Sequence, residues 1–134
     1  MSLFSNFFGS SDNQNPTESK INWINLTDLS QLDEIVVSSN EKPVVIFKHS
    51  TRCSISRMAL KRFEAETLQY SVFTEKNVAM YFLDLLEHRA ISNEIASRFG
   101  VYHQSPQLLL IKEGKSVYDV SHDAIDAGVL KGKI

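Results

Sequence analysis

Pro43-Val44-Val45-Ile46-Phe47-Lys48-His49-Ser50-Thr51-Arg52-Cys53-Ser54-Ile55-Ser56 decides how the rest of the chain is read. Its first half is a continuous run of β-branched and aromatic residues, the pattern of a central strand covered on both faces. Its second half is a short polar loop. From about Ser54 to Tyr70 the pattern becomes helical, with Met58, Ala59, Phe63 and Leu68 on the apolar side. The only cysteine, Cys53, therefore falls where a buried strand gives way to a helix.

That position carries chemistry. In open α/β sheets, ligands bind beyond the carboxyl ends of the strands. A helix N-terminus there offers unpaired backbone N–H groups and the positive end of a dipole. Both favour thiolate over thiol, and the thiolate is the nucleophile. Lys48 and Arg52 add positive charge nearby in sequence. Ser56 stands where a second cysteine would sit in a C-x-x-C pair; its hydroxyl can hydrogen-bond the sulfur but cannot resolve a mixed disulfide. Any catalytic cycle must pass that disulfide to an external thiol.

Working outward, Ile21–Leu26 is a short strand candidate. Thr27 reads as the N-cap of a helix with the stripe Leu29, Leu32, Ile35 and Val36, which Asn40 and Pro43 end. Val78–Leu83 is a second buried strand. Ile91–Phe99 is a helix stopped by Gly100, and Gln107–Ile111 is a further strand. Glu113-Gly114-Lys115 is a tight turn into a returning strand, Ser116–Val120, and a last helix starts near Ser121 or Asp123. The order β-α-β-α-β-α-β-β-α implies parallel strands with right-handed crossovers, followed by an antiparallel hairpin. This is an α/β fold of three layers: a mixed central sheet with helices on both faces, in the thioredoxin arrangement. Residues 1–20 read as a leader and 21–134 as one domain. Leu3, Phe4, Phe7 and Phe8 in the leader recur at helical spacing.

Ser105-Pro106 precedes the strand at Gln107. In this fold the proline would be cis and face the catalytic loop, leaving the backbone of Ser105 free to pair with an extended substrate. Ser121-His122-Asp123 would open the last helix on the same edge as Cys53, where its N–H groups could hold a carboxylate. His49 is the second histidine near the loop, ranked below His122.

Composition narrows the function classes. The 134 residues are 43% hydrophobic and 22% charged, with a net charge of -2, as in an ordinary soluble domain. There is no basic run with interleaved aromatics for nucleic acid, and no apolar stretch long enough for a membrane helix. One cysteine allows no internal disulfide, and the four histidines lack metal-ligand spacing. A cytoplasmic location and no tightly bound cofactor or metal are expected. A C-x5-R phosphatase loop is ruled out because position 59 is Ala59, and Cys53-Ser54-Ile55-Ser56 lacks the glycine of a C-G-F-S cluster-binding loop.

Phe47-Lys48-His49-Ser50-Thr51-Arg52-Cys53-Ser54-Ile55-Ser56, then Ser105-Pro106-Gln107, then Ser121-His122 followed by Ile125, resembles the monothiol bacilliredoxin (YtxJ-like) family over roughly residues 22–134. The resemblance implies a thioredoxin fold and thiol-disulfide oxidoreductase activity. Bacillithiol would be the co-substrate and bacillithiolated client proteins the partners. Cys53 would be the attacking thiol and Pro106 the cis-proline. Arg52 and Ser56 complete the expected catalytic group; from their placement, Ser105, Pro106, Ser121 and His122 are the expected substrate contacts. The alternative is a non-catalytic redox sensor or interaction module with a reactive cysteine.

Overall fold

A computed structural model describes residues 21–134; the leader, with Leu3, Phe4, Phe7 and Phe8, lies outside the described residues. The elements run β1 (Ile24–Asn25), α1 (Ser30–Ser38), β2 (Val44–His49), α2 (Ser54–Thr67), α3 (Val72–Glu75), β3 (Ala79–Asp84), α4 (Arg89–Phe99), β4 (Gln107–Lys112), β5 (Lys115–Ser121), a 3-10 turn (His122–Ala124) and α5 (Ala127–Lys131). The five strands form one sheet in the order β1-β3-β2-β4-β5. β1 and β2 pair with β3 in parallel, while β2–β4 and β4–β5 are antiparallel.

Side-chain alternation along β2 builds both halves of the core. Val44 and Ile46 join Leu32 and Ile35 of α1, Ile91 and Ile95 of α4, Leu83, Leu109 and Ile111 on one face. Val45 and Phe47 join Ala59 and Phe63 of α2, Ala127 and Leu130 of α5, Met80, Leu108 and Leu110 on the other. All six residues of β2 are buried, as its unbroken apolar run requires, and the helices cover both faces.

Several local expectations need correction. The first strand is two residues long, Ile24–Asn25. Thr27 does not cap α1: Asp28 Oδ1 accepts from Ser30 N–H at 2.9 Å, and Gln31 Oε1 accepts from Thr27 and Asp28 N–H at 2.8 and 3.0 Å. Asp28 takes the role that the threonine hydroxyl was expected to fill, and the glutamine reaches back to the N–H groups of Thr27 and Asp28. The long helix stops at Thr67, and Tyr70 lies in the turn before α3. The last helix begins at Ala127, not near Ser121 or Asp123. Asp126 is its N-cap, accepting from Gly128 and Val129 N–H at 2.7 and 3.2 Å. The expected stops at Gly100 (φ 66°) and the turn at Glu113 (φ 53°) and Gly114 (φ 76°) take left-handed backbone.

Candidate active site around Cys53

The end of β2 and the start of α2 set the position of the sulfur. Cys53 is the N-cap of α2, with extended backbone (φ -102°, ψ 121°). Its N–H donates to the Ser50 carbonyl at 3.1 Å, closing the turn, and its carbonyl accepts from Arg57 N–H at 3.1 Å, opening the helix. The first free N–H groups of α2 thus surround the side chain of residue 53. The thiol is part-exposed. Its pKa is held below the ordinary cysteine value, first by the backbone N–H of Ser56, then by that of Ile55, the Ser56 hydroxyl and the charge of Arg57; partial burial opposes them.

Ser56 is fully buried under this turn, and its Oγ has no partner in hydrogen-bond geometry. The hydroxyl nevertheless lies close enough to favour ionised sulfur. A thiolate is the acceptor that this buried donor lacks.

The cation that acts on Cys53 is Arg57, one helical turn after it, with Nη1 donating to the Thr51 carbonyl at 3.2 Å. Arg52 is exposed in the turn. Sequence reasoning missed Arg57, although an i,i+4 spacing from an N-cap cysteine is a readable signal.

The two histidines differ in burial. His49 is buried beneath α2, its ring 5.3 Å from that of Phe82 and 6.5 Å from that of Phe47. Burial lowers its pKa, opposed mainly by Asp84, its register partner on β3. His122 is exposed in the 3-10 turn with φ 59°. Its backbone N–H is already donated to the Pro106 carbonyl at 2.9 Å. A three-residue turn with that donor committed is not the carboxylate-holding helix N-terminus expected at Ser121-His122-Asp123. The structure does bring His122 to the first turns of α2. With Ile55, Met58, Ala59, Arg62 and Asp123 it lines a groove of about 260 Å³ along the first turns of α2. Ile55 and Met58 are 60% and 71% exposed there.

The bond between Ser105 and Pro106 is cis. Gln107 pairs with Ser121 across β4–β5, which together with the His122–Pro106 hydrogen bond brings all four expected contact residues to one end of the sheet. Lys48 is on the other face of β2 from His49, fully buried, and not among the groups acting on the sulfur. Among the described residues, no group of three or more His, Cys, Asp or Glu could hold a metal ion, and no helix is long and apolar enough to cross a membrane.

Comparison with known proteins agrees with this arrangement. Residues 24–130 match the family described as monothiol bacilliredoxin BrxC. A protein proposed to be an oxidoreductase with a thioredoxin fold superposes with a TM-score of 0.67 at 28% identity, over 81% of this chain and 90% of its own. A point mutant of thioredoxin from Halobacterium salinarum gives 0.60 at 25%, over 89% and 93%. Malassezia sympodialis thioredoxin gives 0.63 at 21%, again over 89% and 93%, a likeness of fold alone. With its one cysteine at the head of a thioredoxin-fold helix, and a function in thiol redox chemistry, this chain belongs to the monothiol bacilliredoxin family.

Proposed function

We propose that the protein removes bacillithiol from mixed disulfides on client proteins. The observation that carries this reading is Cys53 itself: an ionisation-prone, part-exposed thiol with a buried serine, not a second thiol, one turn further on. The Cys53 thiolate attacks the bacillithiol sulfur of the client's mixed disulfide. The client sulfur leaves with the bonding pair and takes a proton from solvent; Cys53 becomes bacillithiolated. The thiolate of a second bacillithiol then attacks the bacillithiol sulfur on Cys53. This releases bacillithiol disulfide and regenerates the Cys53 thiolate. The net exchange turns one mixed disulfide and one thiol into one free client thiol and one symmetrical disulfide.

The groove along the first turns of α2 supports the reading, because its exposed Ile55 and Met58 give a client surface an apolar rest on the helix that Cys53 caps. His122 lines it, and with Ser105, Pro106 and Ser121 at the same end of the sheet it is to contact the exchanging partner. Arg52, exposed in the turn, would meet a client outside the reaction centre.

Turnover separates catalysis from a sensor or protective cap. With the protein at one-fiftieth of a bacillithiolated client and with free bacillithiol present, the client should be cleared completely. Clearance of only one equivalent per protein molecule would sink the catalytic reading and favour the sensor.

A further inference from the structure

On the face of β2 away from α2, the chain buries a cation with nothing to balance it. Lys48 is 0% exposed and its Nζ has no hydrogen-bond partner. Burial alone lowers its pKa, to about 8; no carboxylate holds it up. Its register partner on β4 is Gln107, so the two side chains share that face. The Gln107 amide donates to the Tyr102 carbonyl at 2.9 Å and accepts from Gln104 N–H at 3.4 Å, tying the 101–106 segment to this end of the sheet.

More donors and positive charge gather there. His103, at the surface, has Nδ1 3.2 Å from Oγ of the buried Ser92 on α4. Its pKa is lowered by burial and then by the charges of Lys48 and of Arg89 in the first turn of α4. Ser105, in the same segment, keeps a second buried oxygen without a partner. Buried cations in proteins are ordinarily paired. What this cluster lacks is an anion, and it lies at the same carboxyl end of β2 as the Cys53 loop.

We propose that Lys48, together with the 101–106 segment that Gln107 ties to this end of the sheet and that carries His103 and Ser105, is the acid-binding subsite for the low-molecular-weight thiol. It would take a carboxylate of bacillithiol's malyl group. The proposal rests on the exchange reaction above for its ligand, and it moves the acid end of that ligand away from Ser121-His122. Because Nζ is covered, binding must shift the 101–106 segment. That segment has no helix or strand of its own, and its Tyr102 is 92% exposed.

The test uses S-methyl bacillithiol, a thioether that cannot exchange, and its malyl dimethyl ester. Each is titrated into the full chain while the His103 ring resonances are followed by NMR. The native protein should bind the acid roughly ten- to a hundredfold more tightly than the ester, the range for one or two charge-assisted hydrogen bonds. Lys48→Met should bind both as weakly as the native protein binds the ester. Equal affinity of the native protein for acid and ester, no saturable binding of the acid, or an intact preference in Lys48→Met would each overturn the subsite. If Lys48→Met failed to fold, Lys48→Gln, which also removes the charge, would take its place in the same comparison. Acid preference without turnover of bacillithiolated client would defeat the catalytic reading and leave the subsite standing; turnover without acid preference would do the reverse.

Discussion

Replacing Lys48 by methionine should stabilise the protein at neutral pH, against the usual direction for a change at a fully buried site. The unbranched methionine stem fills nearly the space of the lysine stem, and the substitution removes an ammonium that has no partner. The fall of the Lys48 pKa from 10.5 to about 8 corresponds to at most about 3 kcal/mol of destabilisation while the group is charged. Relaxation and water penetration reduce such penalties, so a measured gain of about 1–3 kcal/mol is expected. The sign follows from proton linkage. Below about pH 8 both folded and unfolded chains carry the proton, and the full cost is present. Between about 8 and 10.5 the unfolded chain holds the proton that the folded chain has shed, so stability rises with pH. The methionine variant lacks this rise, and its advantage should vanish by about pH 10.5. Urea unfolding of both proteins at pH 7, 8, 9 and 10 measures the difference, in which the contributions of other titrating groups cancel. A variant less stable than the native protein at pH 7, or a difference that does not change with pH, would refute the account of Lys48 as an uncompensated buried charge.

The alkylation rate of Cys53 plotted against pH should have its midpoint below the free-cysteine value of about 8.5; a midpoint at or above it would remove the activation by α2. Ser56→Cys should close a disulfide with Cys53, seen as the loss of two hydrogens in the intact mass, and persistence of two free thiols under oxidant would mean that residue 56 is out of bridging reach. Ser121→Ala combined with His122→Ala should slow reaction with bacillithiolated client by about two- to tenfold, while alkylation by a small neutral reagent stays unchanged. Equal loss in both assays would instead place the pair in tuning of the thiol.

The strand before Cys53 was legible because burial on both faces leaves an unbroken apolar run from Val44 to Phe47 that few other elements produce. The helix after it was legible from its period and its loop. What sequence could not show was which groups win a local competition. Thr27 has the right chemistry for a cap, but the Asp28 and Gln31 side chains satisfy the backbone there. Ser121-His122-Asp123 has the composition of a helix start, yet the His122 N–H is taken by the Pro106 carbonyl from across the sheet end, and Asp126 caps the helix instead. Lys48 reads as a positive charge near the thiol, because the sequence does not reveal that the strand turns it to the opposite face. The different burial of His49 and His122 was not legible either: it depends on Phe82 and α2 above one and on solvent above the other.

The central claim is that Cys53 takes bacillithiol from the client sulfur, and a single-turnover transfer tests it most directly. Equimolar protein and bacillithiolated client are mixed without free bacillithiol, quenched with acid, and weighed intact by mass spectrometry. The account predicts one bacillithiol gained on this chain at Cys53 and a client returned to its free-thiol mass, with Cys53→Ser inert. A covalent complex of the two chains with bacillithiol released, or a client that keeps its adduct, would contradict it.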